Sequence, residues 1–287
     1  MKIFYNEKQV AKNEDAFSPS AYKPKIITEY WKDAGLPVEI IRSGPVSEID
    51  LCLAHNPAYV QAVLNCKKEN GFYNKDPEVA ESLPYTSGSL YHAAKNAIKL
   101  KTATCSPTSG FHHAGYDRGG GYCTFNGLVV TALKLKTEGL ATKVGILDCD
   151  QHYGNGTDEI IEELGLKWID HLTVGARRYT ARHAEFFLRS LPDFIRHTFA
   201  GCEVILYQAG ADPHVDDPLG GWLTTKQLAE RDRIVFETLK DMKVPVAWNF
   251  AGGYQKEKDG SIPKVIEIHT NTLLECLKVY SNKKNVA

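Results

Sequence analysis

Val204, Ile205, Leu206 and Tyr207 run together with no polar residue at alternate positions. A strand with one face in water would alternate, so an unbroken run predicts a strand covered on both faces. Parallel sheets sandwiched between helices have such strands. Val144 to Leu147 reads the same way, and Ile3–Tyr5, Val38–Ile41, Trp168–Val174 and Val244–Phe250 read as further strands. Thr104 opens another, which leaves as a loop reaching Asp117. Pro245 falls at a strand start, where proline is tolerated. Helical spacing fills the gaps at Lys25–Ala34, Ser87–Lys101, Asn126–Glu138, Thr157–Glu163, Thr225–Met242 and Asn271–Tyr280. Asn56-Pro57 reads as an N-cap with proline in the first turn of a helix reaching about Lys68. Another helix should begin a little before Pro192, since proline suits only a first turn. Phe72–Pro84, with Pro77 and Pro84, reads as a long loop. The alternation implies an α/β fold, a single three-layer α/β/α domain over residues 1–287 with a mostly parallel sheet.

Composition narrows the function classes. The net charge of -1 offers no attraction for nucleic acid or an acidic membrane. Lys283 and Lys284 read as a frayed tail rather than a basic arm. The N-terminus lacks a signal-peptide core, and no apolar run approaches the ~20 residues that span a bilayer. The seven scattered cysteines suit a reducing, cytoplasmic setting.

The chemistry concentrates just past the strands, where α/β sheets keep their ligands. In VGILDCDQHYGNGT, strand periodicity would aim Asp148, Asp150 and His152 the same way, an O and N donor set for a divalent metal. Asp212, after the Val204 strand, is placed to be a ligand from a different strand. His112 and His113 form a pair able to move protons near neutrality. Gly252 and Gly253 allow a sharp turn that brings Tyr254 over the site. Each of these has a plainer reading as a turn, a cap or a packed ring. Jointly, Asp150, His152 and Asp212 leave a coordination position open, as catalytic metal sites do. Adding the two histidines and a phenol gives the parts for metal-assisted amide hydrolysis.

The motifs FHHAGYDRGGGYC, LDCDQHYGNGT, YQAGADPHVDDPLGG and AGGYQ, in this order, resemble the zinc-dependent histone deacetylase family of the arginase–deacetylase superfamily. The likeness runs from about His55 to Tyr254. It is strongest to class IV members, at Asp117 to Cys123, at DPLGG followed by ERD, and at GGYQ. The resemblance implies a parallel sheet of about eight strands. It implies one zinc ion on Asp150, His152 and Asp212. It makes His113 the general base and then acid, His112 its electrostatic neighbour, and Tyr254 the group polarising the substrate carbonyl. Asp148 and Asn155 would orient the two histidines. The Gly121 carbonyl would meet the acyl-lysine amide, and Tyr122 would wall the tunnel. A structural potassium is a further ion that the likeness raises, although Gly175 stands where a serine helps to bind it.

Departures matter too. Tyr153 replaces a second histidine, and Asn155 an aspartate of class I members, so it cannot stabilise an imidazolium by charge. Ser82 falls near the class I aspartate that clamps the peptide backbone. The expected substrate is an acyl-lysine peptide or protein, or alternatively an acylated small amine such as an acetylated polyamine. Acetyl and longer chains both stay open. Two-manganese arginase chemistry would want carboxylates where Gly154 and His214 stand, so a single metal is expected. A silent acyl-lysine-binding module is disfavoured, because no ligand and no phenol is missing.

Overall fold

The computed structural model describes residues 1–12 and 17–281; Lys283 and Lys284 lie outside them. Strands β1 (Lys2–Tyr5), β2 (Glu39–Arg42), β3 (Ala103–Ser106), β4 (Val144–Asp148), β5 (Ile169–Thr173), β6 (Val204–Gly210) and β7 (Val246–Ala251) form one sheet. Its order is β2-β1-β3-β7-β6-β4-β5, and every pairing is parallel. The expectation of about eight strands is corrected to seven among the described residues. β2 and β5 are the edges.

Helices are α1 (Lys23–Asp33), α2 (Glu48–Leu51), α3 (Pro57–Leu64), α4 (Pro77–Leu100), α5 (Gly127–Thr137), α6 (Asn155–Glu163), α7 (Ala184–Thr198), α8 (Thr225–Asp241) and α9 (Pro263–Tyr280). They cover both faces of the sheet. Ile205 and Tyr207 of β6 pack with Trp31 of α1, Leu191 of α7, Phe236 of α8 and Ile268 of α9. Val204 and Leu206 pack into the opposite core with Val63, Leu90, Leu128 and Ile160 of α3 to α6. The apolar run is thus explained by burial on two sides.

Three expectations are corrected. The stretch Phe72–Pro84 is not all loop: α4 begins at Pro77, capped by the Asp76 side chain, and continues through Pro84. Pro84 turns its carbonyl to the Val46 N–H at 3.0 Å, and Leu83 and Leu90 are buried on the same helix. α7 starts at Ala184, so Pro192 lies in its interior rather than its first turn. Phe187, Leu188, Leu191 and Ile195 form its buried stripe, and this packing overrides the local cost of proline. α9 starts at Pro263, earlier than expected, because Val265 and Ile268 extend its buried face.

The sheet positions the site. β3, β7, β6 and β4 are consecutive neighbours, and their carboxyl ends lead to His112, Tyr254, Asp212 and Asp150 in turn. Strands about 4.8 Å apart bring residues remote in sequence to one rim.

Pro192→Ala tests the reading of α7. An interior proline costs about 3 kcal/mol against alanine, and the looser unfolded chain returns about 1 kcal/mol. The variant should therefore be more stable by about 1–3 kcal/mol in denaturant titration. A loss of stability would mean that the α7 backbone requires the proline.

Candidate metal centre and its surrounding residues

β4 ends at Asp148, and the next residues leave the strand in bends. Strand periodicity therefore stops before Asp150, and the three side chains do not converge as periodicity implied. The fully buried Asp148 carboxylate is taken up by its neighbours. It meets His112 Nδ1 at 2.7 Å and accepts from Gln208 Nε2 at 3.0 Å and from the Asp150 N–H at 3.2 Å. Asp150 and His152 instead meet Asp212 from β6, and ligand atoms of these three lie within 4.8 Å of one another. They are the only such trio of histidine, cysteine or acidic side chains among the described residues. His152 Nδ1 sits between the two carboxylates, 3.2 Å from Asp150 Oδ1 and 2.9 Å from Asp212 Oδ2.

The donor chemistry fits a divalent cation. Two carboxylates and one imidazole suit zinc. Burial and the Asp150 charge push the Asp212 carboxyl well above the usual carboxylate range. Burial also disfavours charge on Asp150, but His112 and His152 outweigh it and hold Asp150 well below the usual carboxylate range. Hydrogen bonds to Asp150 and Asp212 raise His152 to about 10. The two carboxylates and the imidazole thus share protons that a bound dication would displace.

The loop after β3 carries the paired histidines. His55 fixes it: its Nδ1 lies 2.9 Å from the Gly115 carbonyl, and its Nε2 accepts from the Asn126 N–H at 2.8 Å. Asn126 Nδ2 in turn donates to the Ala114 carbonyl at 3.1 Å. The Thr157 N–H of α6 donates to the His112 carbonyl at 3.0 Å. The two rings stack obliquely, centroids 4.1 Å apart. Burial pushes His112 down, but Asp148, Asp150 and Asp212 prevail and raise it to about 9. Burial and the neighbouring His112 lower His113. Asn155, the first residue of α6, lies 2.7 Å from His113 Nδ1.

Gly121 and Tyr122 occupy the middle of a tight turn closed by reciprocal Gly120–Cys123 hydrogen bonds of 2.9 Å. Both have positive φ, +53° and +64°, as a type I′ turn demands. Such a conformation is costly for an aromatic residue. The Tyr122 N–H is held by the Gly71 carbonyl at 2.9 Å. The turn lies against His113, whose Cδ2 would be 2.5 Å from a Cβ at Gly121. The Gly121 carbonyl faces the Cys123 thiol at 3.5 Å. The Tyr122 ring stands between Phe72 and Tyr254, each 5.7 Å away, and Phe17 stacks on Tyr254 at 5.9 Å.

Tyr254 follows β7 through Gly252 and Gly253. A Cβ on Gly252 would come within 2.2 Å of the Asp212 carboxylate, so only glycine lets the turn pass. The Tyr254 N–H donates to Asp217 Oδ2 at 2.8 Å. Burial, then Asp212 and Asp150, raise the phenol well above its ordinary value. It stays protonated and able to donate.

Sequence reasoning missed several residues. Lys23 is fully buried and donates to the Gly252 carbonyl. Burial lowers it to about 8 against the pull of Asp212, Asp150 and Asp217. Its spacing from Ile27 and Trp31, four residues per step on one stripe, was the available signal. Arg231 and Asp232 likewise sit on the apolar stripe of α8 and are buried. Asp217 and Arg118 stood inside quoted motifs without a role. Ser82 is buried in α4, its hydroxyl spent on the Val79 carbonyl at 2.7 Å, so it is not placed to clamp a peptide. Tyr153 is exposed and donates to Asp158 at 2.6 Å. No helix among the described residues is long and apolar enough to cross a membrane.

Comparisons with known proteins bear on the family and the fold. Histone deacetylase 2 of Arabidopsis thaliana is 26% identical over 266 residues, covering 79% of this chain and 66% of that protein. An acetylpolyamine amidohydrolase of Mycoplana ramosa is 46% identical over 67 residues, covering 23% of this chain and 19% of that protein. The crystal structure of the HDA15 HD domain shares the fold, with a TM-score of 0.75 at 18% identity over 97% of this chain and 95% of that one. The histone deacetylase domain matches residues 19–166, just over half of the sequence, and the chain belongs to that family.

Proposed function

We propose that this chain hydrolyses the side-chain amide of acylated lysine, releasing a carboxylate and the free amine. One observation carries the proposal: Asp150, His152 and Asp212 gather beside the paired His112 and His113, with the buried Tyr254 close to the same carboxylates. A zinc ion held by the trio would supply a Lewis acid for the amide carbonyl and lower the proton affinity of water. Tyr254 donates a hydrogen bond to the carbonyl oxygen as negative charge develops there. The histidine pair moves the proton from water to the departing amine. Phe17, Phe72, Tyr122 and Tyr254 offer apolar walls for a neutral acyl-lysine stem. Among family members we place the chain with class IV, on its DRGGGYC, ERD and GGYQ segments.

A second reading is hydrolysis of an acylated small amine. It is favoured by the 46% identity to the acetylpolyamine amidohydrolase across the aligned segment. The reacting groups would be the same in both cases.

Rates on a lysine-peptide series from acetyl to myristoyl, with acetylated putrescine alongside, separate the two. At least one acyl peptide should exceed the polyamine in kcat/KM by more than about tenfold, ~1.4 kcal/mol of differential transition-state binding. The reverse order would replace lysine by a small amine. Tyr254→Phe should keep its zinc and lose roughly 10²–10³ in turnover. Full activity would remove the phenol from the reaction. Asp212→Ala should fail to retain zinc by elemental analysis, and unchanged metal content would refute its place as a ligand.

A further inference from the structure

An amide can meet a histidine ring nitrogen in two ways: its oxygen accepts from a protonated nitrogen, or its NH₂ group donates to a bare one. The 2.7 Å contact between Asn155 and His113 Nδ1 admits both. The amide's other neighbours do not. Beside His113 lies the Tyr153 carbonyl, and at the amide's far end lies Arg118 Nη2, each 3.3 Å away. With the oxygen towards His113, it would also face that carbonyl, and the NH₂ group would face a guanidinium. With the nitrogen towards His113, Nδ2 donates to His113 Nδ1 and to the Tyr153 carbonyl, and Oδ1 accepts from Arg118. A guanidinium only donates, so Arg118 cannot adapt to the first arrangement. Arg118 is itself held by Glu159, whose Oε1 accepts from the Tyr116 N–H at 3.1 Å.

We infer that Arg118 is a positioning residue: through Asn155 it keeps the neutral His113 ring with its proton on Nε2 and none on Nδ1. His112 is set the opposite way. Its Nδ1 faces the Asp148 carboxylate at 2.7 Å. A carboxylate only accepts, so that nitrogen carries a proton, where the same nitrogen of His113 is bare.

The consequence for catalysis rests on the amide hydrolysis proposed above. His113 keeps its proton and donates a hydrogen bond to the reacting groups. This departs from the expectation, carried by family likeness, that His113 is the base.

The test is long-range ¹H–¹⁵N correlation spectroscopy on the zinc-loaded, ¹⁵N-histidine-labelled protein, with the His113 signals assigned by their loss in His113→Gln. At a pH where the ring is neutral, His113 should show a protonated Nε2 and a bare Nδ1. Arg118→Lys should preserve that pattern. Arg118→Met should lose it, and Asn155→Asp should reverse it to a protonated Nδ1. A protonated Nδ1 in the unaltered protein would overturn the inference, and so would an unchanged pattern in Arg118→Met. The unaltered protein and Asn155→Asp decide the matter even if Arg118→Met does not fold. The readout needs no turnover. An inactive protein with the expected tautomer would count against the amide-hydrolase reading alone, and an active one with the opposite tautomer against this inference alone.

Discussion

A buried guanidinium holds the site's two strands together. Arg231 Nη1 donates to the Cys149 carbonyl at 3.1 Å and to the Gly210 carbonyl at 2.7 Å. Those carbonyls belong to the residue before Asp150 and to the end of β6, two residues before Asp212. Beyond the last sheet hydrogen bonds this donor ties both strand tips, together with the Gln151 N–H, which donates to Asp212 Oδ1 at 3.1 Å. Asp232 pairs with Arg231 at 2.8 Å and accepts from the hydroxyls of Tyr207 and Thr272. A buried charge left unpaired costs about 3–5 kcal/mol, so α8, β6 and α9 are coupled through this pair to the spacing of Asp150 and Asp212.

The centre concentrates charge in a chain that is almost neutral overall. Asp148, Asp150 and Asp212 are all buried within a few residues of strand ends. Their burial is tolerable because each carboxylate is assigned a partner: Asp148 has His112 and Gln208, and the other two share His152. Burial together with the same field keeps Tyr254 protonated, and the field sets His112 apart from His113. One group of buried acids thus organises cation affinity, a hydrogen-bond donor and a pair of unlike histidines.

Much of this was legible before the structure. The unbroken apolar run of β6, the alternation of strands and helices, and the placement of Asp150, His152, Asp212, His112, His113 and Tyr254 beyond strand ends all follow from local pattern. The misreadings share a cause. Pro84 and Pro192 forbid helix by local rules, yet Leu83 and Leu90, and Leu188 and Leu191, bury enough surface to carry the helix through. Asp148 keeps strand periodicity with Asp150 on paper, but the chain leaves the strand between them.

Sequence alone determined which chemical groups are available and that they belong at the carboxyl edge of a parallel sheet, because periodicity and side-chain chemistry are local properties. Only tertiary structure decided which groups meet. It joined Asp212 to His152 across the β4–β6 pairing, buried Lys23 beneath the Gly252 turn, and put Arg118 behind Asn155. Those contacts link residues tens to hundreds of positions apart. They depend on strand order and helix packing, which no window of neighbouring residues encodes.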